Sequence, residues 1–134
     1  MDRTFSNPAG VAAPAAHYSH SVRVEMGDSA VIYVSGQVPV DADNQLVGKG
    51  DFGAQMQAVY DNISRILEAA GGSMADIVKF TTFVTSFDGF EHANAVRKAT
   101  FPENAPASST VRVSQLFDPE WLVEVDAVAV VRGA

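Results

Sequence analysis

The chain's 134 residues fit one domain with room for a buried core. At 47% hydrophobic and 19% charged, it has no apolar run near the roughly 18–20 residues that a membrane helix needs. A formal net charge of −7 without a lysine or arginine stripe disfavours nucleic acid, whose nonspecific affinity comes from cations that neutralise phosphates. The absence of cysteine excludes disulfides, thiolate nucleophiles and cysteine-based metal sites.

Residues 1–16, rich in alanine and proline, are expected to form a loosely held N-terminal arm. The segment has Asp2 beside Arg3 and no long apolar stretch, unlike a signal peptide, so a cytoplasmic location is expected. Tyr18–Val24 and Ala30–Ser35 read as strands around the turn Met26-Gly27-Asp28-Ser29, a predicted hairpin. In the following Gly36–Val40, Pro39 cannot donate a ladder hydrogen bond, which predicts an edge or a bent extension. Gly36 and Gln37 are read as architectural, glycine in a strand that bends permitting close backbone approach. Asp41–Gly50 reads as a surface loop.

From Asp51 the period changes. Phe52, Met56, Val59, Ile63, Ile66, Leu67 and Ala70 form one helical stripe, with Asp51 as cap and Gly71-Gly72 as stop. Gln55, Gln57, Asp61, Arg65 and Glu68 fall on the polar side. Ile77–Thr85 has the highest strand propensity in the chain. Phe87–Ala99 is again helical, with Phe87, Phe90, Asn94 and Arg97 three or four apart, and Phe101-Pro102 ends it.

Pro106–Val131 holds two alternating runs around a turn with Asp118 and Pro119. In the first, Ser108, Thr110 and Arg112 oppose Ser109, Val111 and Val113. In the second, Leu122, Glu124 and Asp126 oppose Val123, Val125 and Ala127. Glu124 and Asp126 therefore share a face, which implies a sheet edge, solvent or a functional role. The predicted order is β-β-α-β-α-β-β in a single domain, 1–134. An α+β fold, two helices on one face of a mixed sheet, satisfies it. The other face needs cover, and apolar groups on both sides of Ile77–Thr85 make self-association the economical answer.

The segments PASSTV and VEVDAVA, together with VSGQVPVD, EAAGGSMADIVKFTTFV and FEHANAV, resemble the Rid (reactive intermediate deaminase, YjgF-type) family, from about Tyr18 to Val131. The resemblance implies a chorismate-mutase-like fold and a homotrimer whose sheets face inward, with a small-molecule cleft at each subunit boundary. It places Glu124 where a carboxylate holds and activates water, with Tyr18 as aromatic wall and proton donor. Ser35, Asn94 and Thr110 fall at pocket-lining positions. Ser108 stands where the family's deaminases carry an arginine that clamps a substrate carboxylate. Arg112 shares its facing but lies ~13 Å along the strand.

Three functions follow from the resemblance: an imine or enamine deaminase of altered substrate, a non-catalytic metabolite-binding trimer, and an endoribonuclease or translation inhibitor. The acidic charge disfavours the last. No cofactor and no metal are expected. His17 and His20, separated by two residues, with His92 the only other histidine, make a poor metal set. GKGDFG lacks phosphate-loop spacing.

Overall fold

A computed structural model describes all of residues 1–134. Its strands are β1 (Arg3–Ser6), β2 (Ser21–Met26), β3 (Ser29–Gln37), β4 (Ile77–Val84), β5 (Ala107–Arg112) and β6 (Val123–Arg132). The helices are α1 (Phe52–Ala69) and α2 (Phe90–Thr100), with a short 3-10 turn at Met74–Asp76. All six strands share one sheet in the order β1-β2-β3-β6-β4-β5. Every pairing is antiparallel except β4 with β5, which makes the sheet mixed. The α+β expectation of two helices on one face of a mixed sheet therefore holds.

Alternation decides the faces. Val123, Val125, Ala127 and Ala129 of β6 are buried under the helices, while Glu124, Asp126 and Val128 between them are half-buried on the other side. Asp51 caps α1 by accepting from the Ala54 N–H at 3.0 Å. Gly71, just past its end, takes φ +89°, a conformation costly to any residue with a Cβ. The stripe from Phe52 to Leu67 is buried, and Tyr60 stacks on Phe80 with ring centroids 5.3 Å apart. No helix covers the opposite face, where Tyr33, Val111 and Val130 are exposed.

Four details differ from the sequence reading. The first sixteen residues are not a loose arm, because Arg3–Ser6 pairs with β2 as an edge strand and Val11 and Ala12 are buried. Gln55 is not on the solvent side of α1 but wholly buried. β6 lies inside the sheet, so Glu124 is not an edge carboxylate. The second helix begins at Phe90 because Gly89 is left-handed, φ +79°, which breaks the helical run that starts at Phe87.

Candidate functional site

The carboxylate of Glu124 owes its place to a glycine. Between Val34 and Gln37 the β3–β6 register slips, so Ser35 and Gly36 sit in an irregularity opposite β6. A Cβ on Gly36 would lie 2.5 Å from Glu124 Oε2, so the carboxylate keeps this position only against a glycine and would have to shift for any other residue. Gly36 is thus the cradle of the carboxylate, which gives physical content to its architectural reading. Burial, and then the negative charge of Asp126, push the Glu124 carboxyl above its ordinary value. None of the chain's three ion pairs engages it.

Beside Glu124 opens a cavity of about 480 Å³ whose lining includes Tyr18, His20, Ser35, Gly36 and Trp121. Tyr18 is 45% exposed and meets the His20 ring edge-on at 6.3 Å. His20 pins the N-terminal segment over the cavity. Its Nε2 lies 2.8 Å from the Ala12 carbonyl, and its backbone N–H donates to Asn7 Oδ1 at 2.8 Å. A carbonyl only accepts, so Nε2 carries the proton and Nδ1 is left as a buried acceptor with no partner. Burial, offset in part by the Ala12 hydrogen bond, lowers the His20 pKa, and the ring is neutral. The Ser35 hydroxyl donates to the Ser19 carbonyl at 2.6 Å, so towards a ligand it can only accept.

Asn94, Ser108 and Thr110 are elsewhere. In the β4–β5 register Ser108 pairs with Phe80 and Thr110 with Thr82, both buried beneath the helices. Glu124 pairs with Phe83, whose β5 partner is Val111. Ser108 and Thr110 therefore lie on the helix-bearing face at the β5 edge, and Glu124 on the opposite one. Asn94 is half-buried on α2, one turn before Arg97. The six candidate residues thus separate: Glu124, Tyr18 and Ser35 around the cavity, Ser108 and Thr110 on a shelf at the β5 edge of the helix-bearing face, and Asn94 on α2.

Two residues with roles here were not singled out from the sequence. Arg97 reaches under α2, where Nη2 donates to Thr82 Oγ1 at 3.1 Å and Nε to the Tyr60 hydroxyl at 3.4 Å. Its only signal was a position three after Asn94. Gln55 holds the β5–β6 loop: Nε2 donates to the Glu120 carbonyl at 3.0 Å, and Oε1 accepts from the Leu122 N–H at 2.8 Å. That fixes Trp121 at the cavity wall. Nothing in a helical stripe marks a glutamine as buried. His17, by contrast, is exposed, and no cluster of three metal-ligating side chains exists in the chain.

The family described as endoribonuclease L-PSP matches residues 10–131. A RutC family protein from Pyrococcus abyssi is 36% identical over 116 residues, 87% of either chain. Among solved structures, a protein of the conserved Rid family from Yersinia pestis superimposes with a TM-score of 0.84 at 29% identity, covering 99% of this chain and 100% of that one. RidA from an Antarctic Psychrobacter superimposes with a TM-score of 0.83 at 32% identity, over 96% and 99% of the two chains.

Proposed function

The chain belongs to the endoribonuclease L-PSP (Rid, YjgF-type) family, and on that premise we propose that it is a hydrolase of imine or enamine C–N bonds in small molecules. The observation that carries this reading is Glu124, a half-buried carboxylate with a raised pKa, cradled by Gly36 at the wall of a cavity. A carboxylate whose hold on a proton is strengthened by burial is suited to take the proton of a water adding to a planar imine carbon. Glu124 takes one proton as the water oxygen bonds to carbon. Glu124 passes that proton to the nitrogen, giving a carbinolamine. The carbinolamine hydroxyl then loses its own proton through Glu124 to the amine nitrogen, and as the C=O bond forms the C–N bond breaks and ammonia leaves. Imine and water are consumed, and carbonyl compound and ammonia are formed.

The complete site is proposed to lie between subunits of a homotrimer. Two facts support this. The candidate residues occupy opposite faces of one sheet, so one chain does not bring them together. The helix-free face also leaves Tyr33, Val111 and Val130 without cover. A net charge of −7 argues against RNA as substrate.

A second reading, a trimer that binds a metabolite without turning it over, is favoured by Ser108, which offers a hydroxyl where the family's deaminases carry arginine. A coupled assay separates the two: 2-imino acids and an uncharged imine are generated in situ, and carbonyl release is followed with and without the protein. Hydrolysis is expected, with a loss of about 10²–10⁴-fold in Glu124→Gln. No acceleration of any imine by the unmodified protein would transfer the case to the binding reading.

A further inference from the structure

Arg97 is a partly buried cation without an anion. Its guanidinium lies over Thr82, a residue with no solvent exposure, and is held there by one threonine and one tyrosine hydroxyl. Buried charges are normally paired. Yet none of the three ion pairs includes Arg97, and Glu91, the acidic residue of the first turn of α2, lies exposed at the surface, 3.7 Å from His92. Tyr60 is no hidden counter-ion either. Its burial raises the phenol pKa, against a smaller lowering by Arg97, so the hydroxyl stays protonated.

Around this cation the shelf offers hydroxyls and an amide. Thr110 is the strand neighbour of Thr82, about 4.8 Å away, and Ser108 is two residues on, ~6.6 Å along β5 and on the same face. Asn94 precedes Arg97 by one turn. Nε and one Nη of the guanidinium are engaged, which leaves the other N–H donors of the fork unspent. A planar fork with spare donors, fixed by two hydroxyls and flanked by neutral hydrogen-bonding groups, is built for a small planar oxyanion.

We propose that Arg97 is the anion-binding residue of the shelf, and that the ligand of this protein carries a carboxylate which Arg97 receives together with Ser108 and Thr110. This rests on the inter-subunit reading above, since the shelf must face the Glu124 cavity of a neighbour for one ligand to meet both. Arg112, the other arginine on this face, is exposed and donates to the Thr85 carbonyl at 3.2 Å. It serves as the control.

The test is calorimetric titration of the full chain with 2-oxobutanoate and with its uncharged methyl ester. The unmodified protein is expected to bind the acid more tightly. Arg97→Gln should weaken the acid by about 10- to 100-fold and leave the ester unchanged. Arg97→Lys should recover part of the loss, and Arg112→Gln should behave as unmodified. Should Arg97→Gln not fold, the Arg97 Nε–H resonance of the unmodified protein provides the readout, shifting with the acid and not with the ester. Equal affinity for acid and ester, or an Arg97→Gln variant that binds the acid as well as the unmodified protein, overturns the proposal. Glu124-dependent hydrolysis of an uncharged imine in that event leaves the hydrolase reading standing. Arg97-dependent binding of the acid without hydrolysis of any imine does the reverse.

Discussion

The cavity around Glu124 and the shelf around Arg97 use one sheet in opposite ways. In the cavity an acid is kept from cations and pushed towards neutrality by burial and by Asp126. On the shelf a base is kept from acids and held by hydroxyls. Each half withholds the partner that would quench it inside its own chain. An imine carbon under attack needs a proton acceptor on one side, and a carboxylate substituent needs a cation on the other. On the proposed reading, separation by the thickness of a sheet keeps the two from neutralising each other within one chain.

The comparison breaks most sharply at Gly36. Gly36→Ala adds a Cβ 2.5 Å from Glu124 Oε2, and the carboxylate must move. Gly36 is not among the glycines with positive φ, so the substitution brings crowding without backbone strain. A displacement of about 1 Å at a catalytic group costs ~10²-fold in rate. Turnover is therefore expected to fall by that factor, with circular dichroism unchanged and acid binding through Arg97 retained. An Ala variant with full turnover would mean that the carboxylate does not act from this position.

A smaller effect is expected at Gln55, which supports the cavity and not the shelf. Gln55→Leu preserves volume but leaves the Glu120 carbonyl and Leu122 N–H without their partner. Losing these buried hydrogen bonds costs about 2–3 kcal/mol, a fall of roughly 10 °C in melting temperature. The loop carrying Trp121 should loosen, raising KM while Arg97-dependent discrimination of acid from ester persists. Loss of that discrimination together with the loop would show that the two halves are not independently held.

The sequence made the fold legible because its signals are local. The Phe52–Leu67 stripe, the Asp51 cap, the glycine stop and the alternation of β6 each act within a few residues. The facing of Glu124, alternating with Val123 and Val125, is legible for the same reason, whereas its role as a base is what the family resemblance implies and not what the alternation shows. The division of the six candidates between two faces was not legible. Alternation tells which residues of a strand point together, whereas matching the faces of β5 and β6 requires their common neighbour β4, a long-range pairing. Gln55 was misplaced because its partners, Gly48, Glu120 and Leu122, come from loops that a helical period does not describe. The hold of the N-terminal segment does not show in its composition because it is mostly through single contacts: a four-residue edge strand, Val11, Ala12 and the His20 clamp.

That clamp gives the last and smallest prediction. His20 is buried as a neutral ring whose pKa is lowered, chiefly by desolvation, from an ordinary 6.5. In the unfolded chain it protonates as pH falls through 6.5, while in the folded chain it resists until a lower pH. Over that window the unfolded state binds more protons, so folding stability is full above 6.5 and is lost as pH falls below it. His20→Gln retains an N–H able to reach the Ala12 carbonyl and removes the titration. The melting temperature of the unmodified protein should therefore fall relative to His20→Gln between pH 7 and pH 5, by an amount on the order of 1–3 °C. The N-terminal segment should become more open to limited proteolysis over the same range. A difference that does not change with pH would mean that folding does not shift the His20 pKa, and that the ring is not held as a desolvated neutral group.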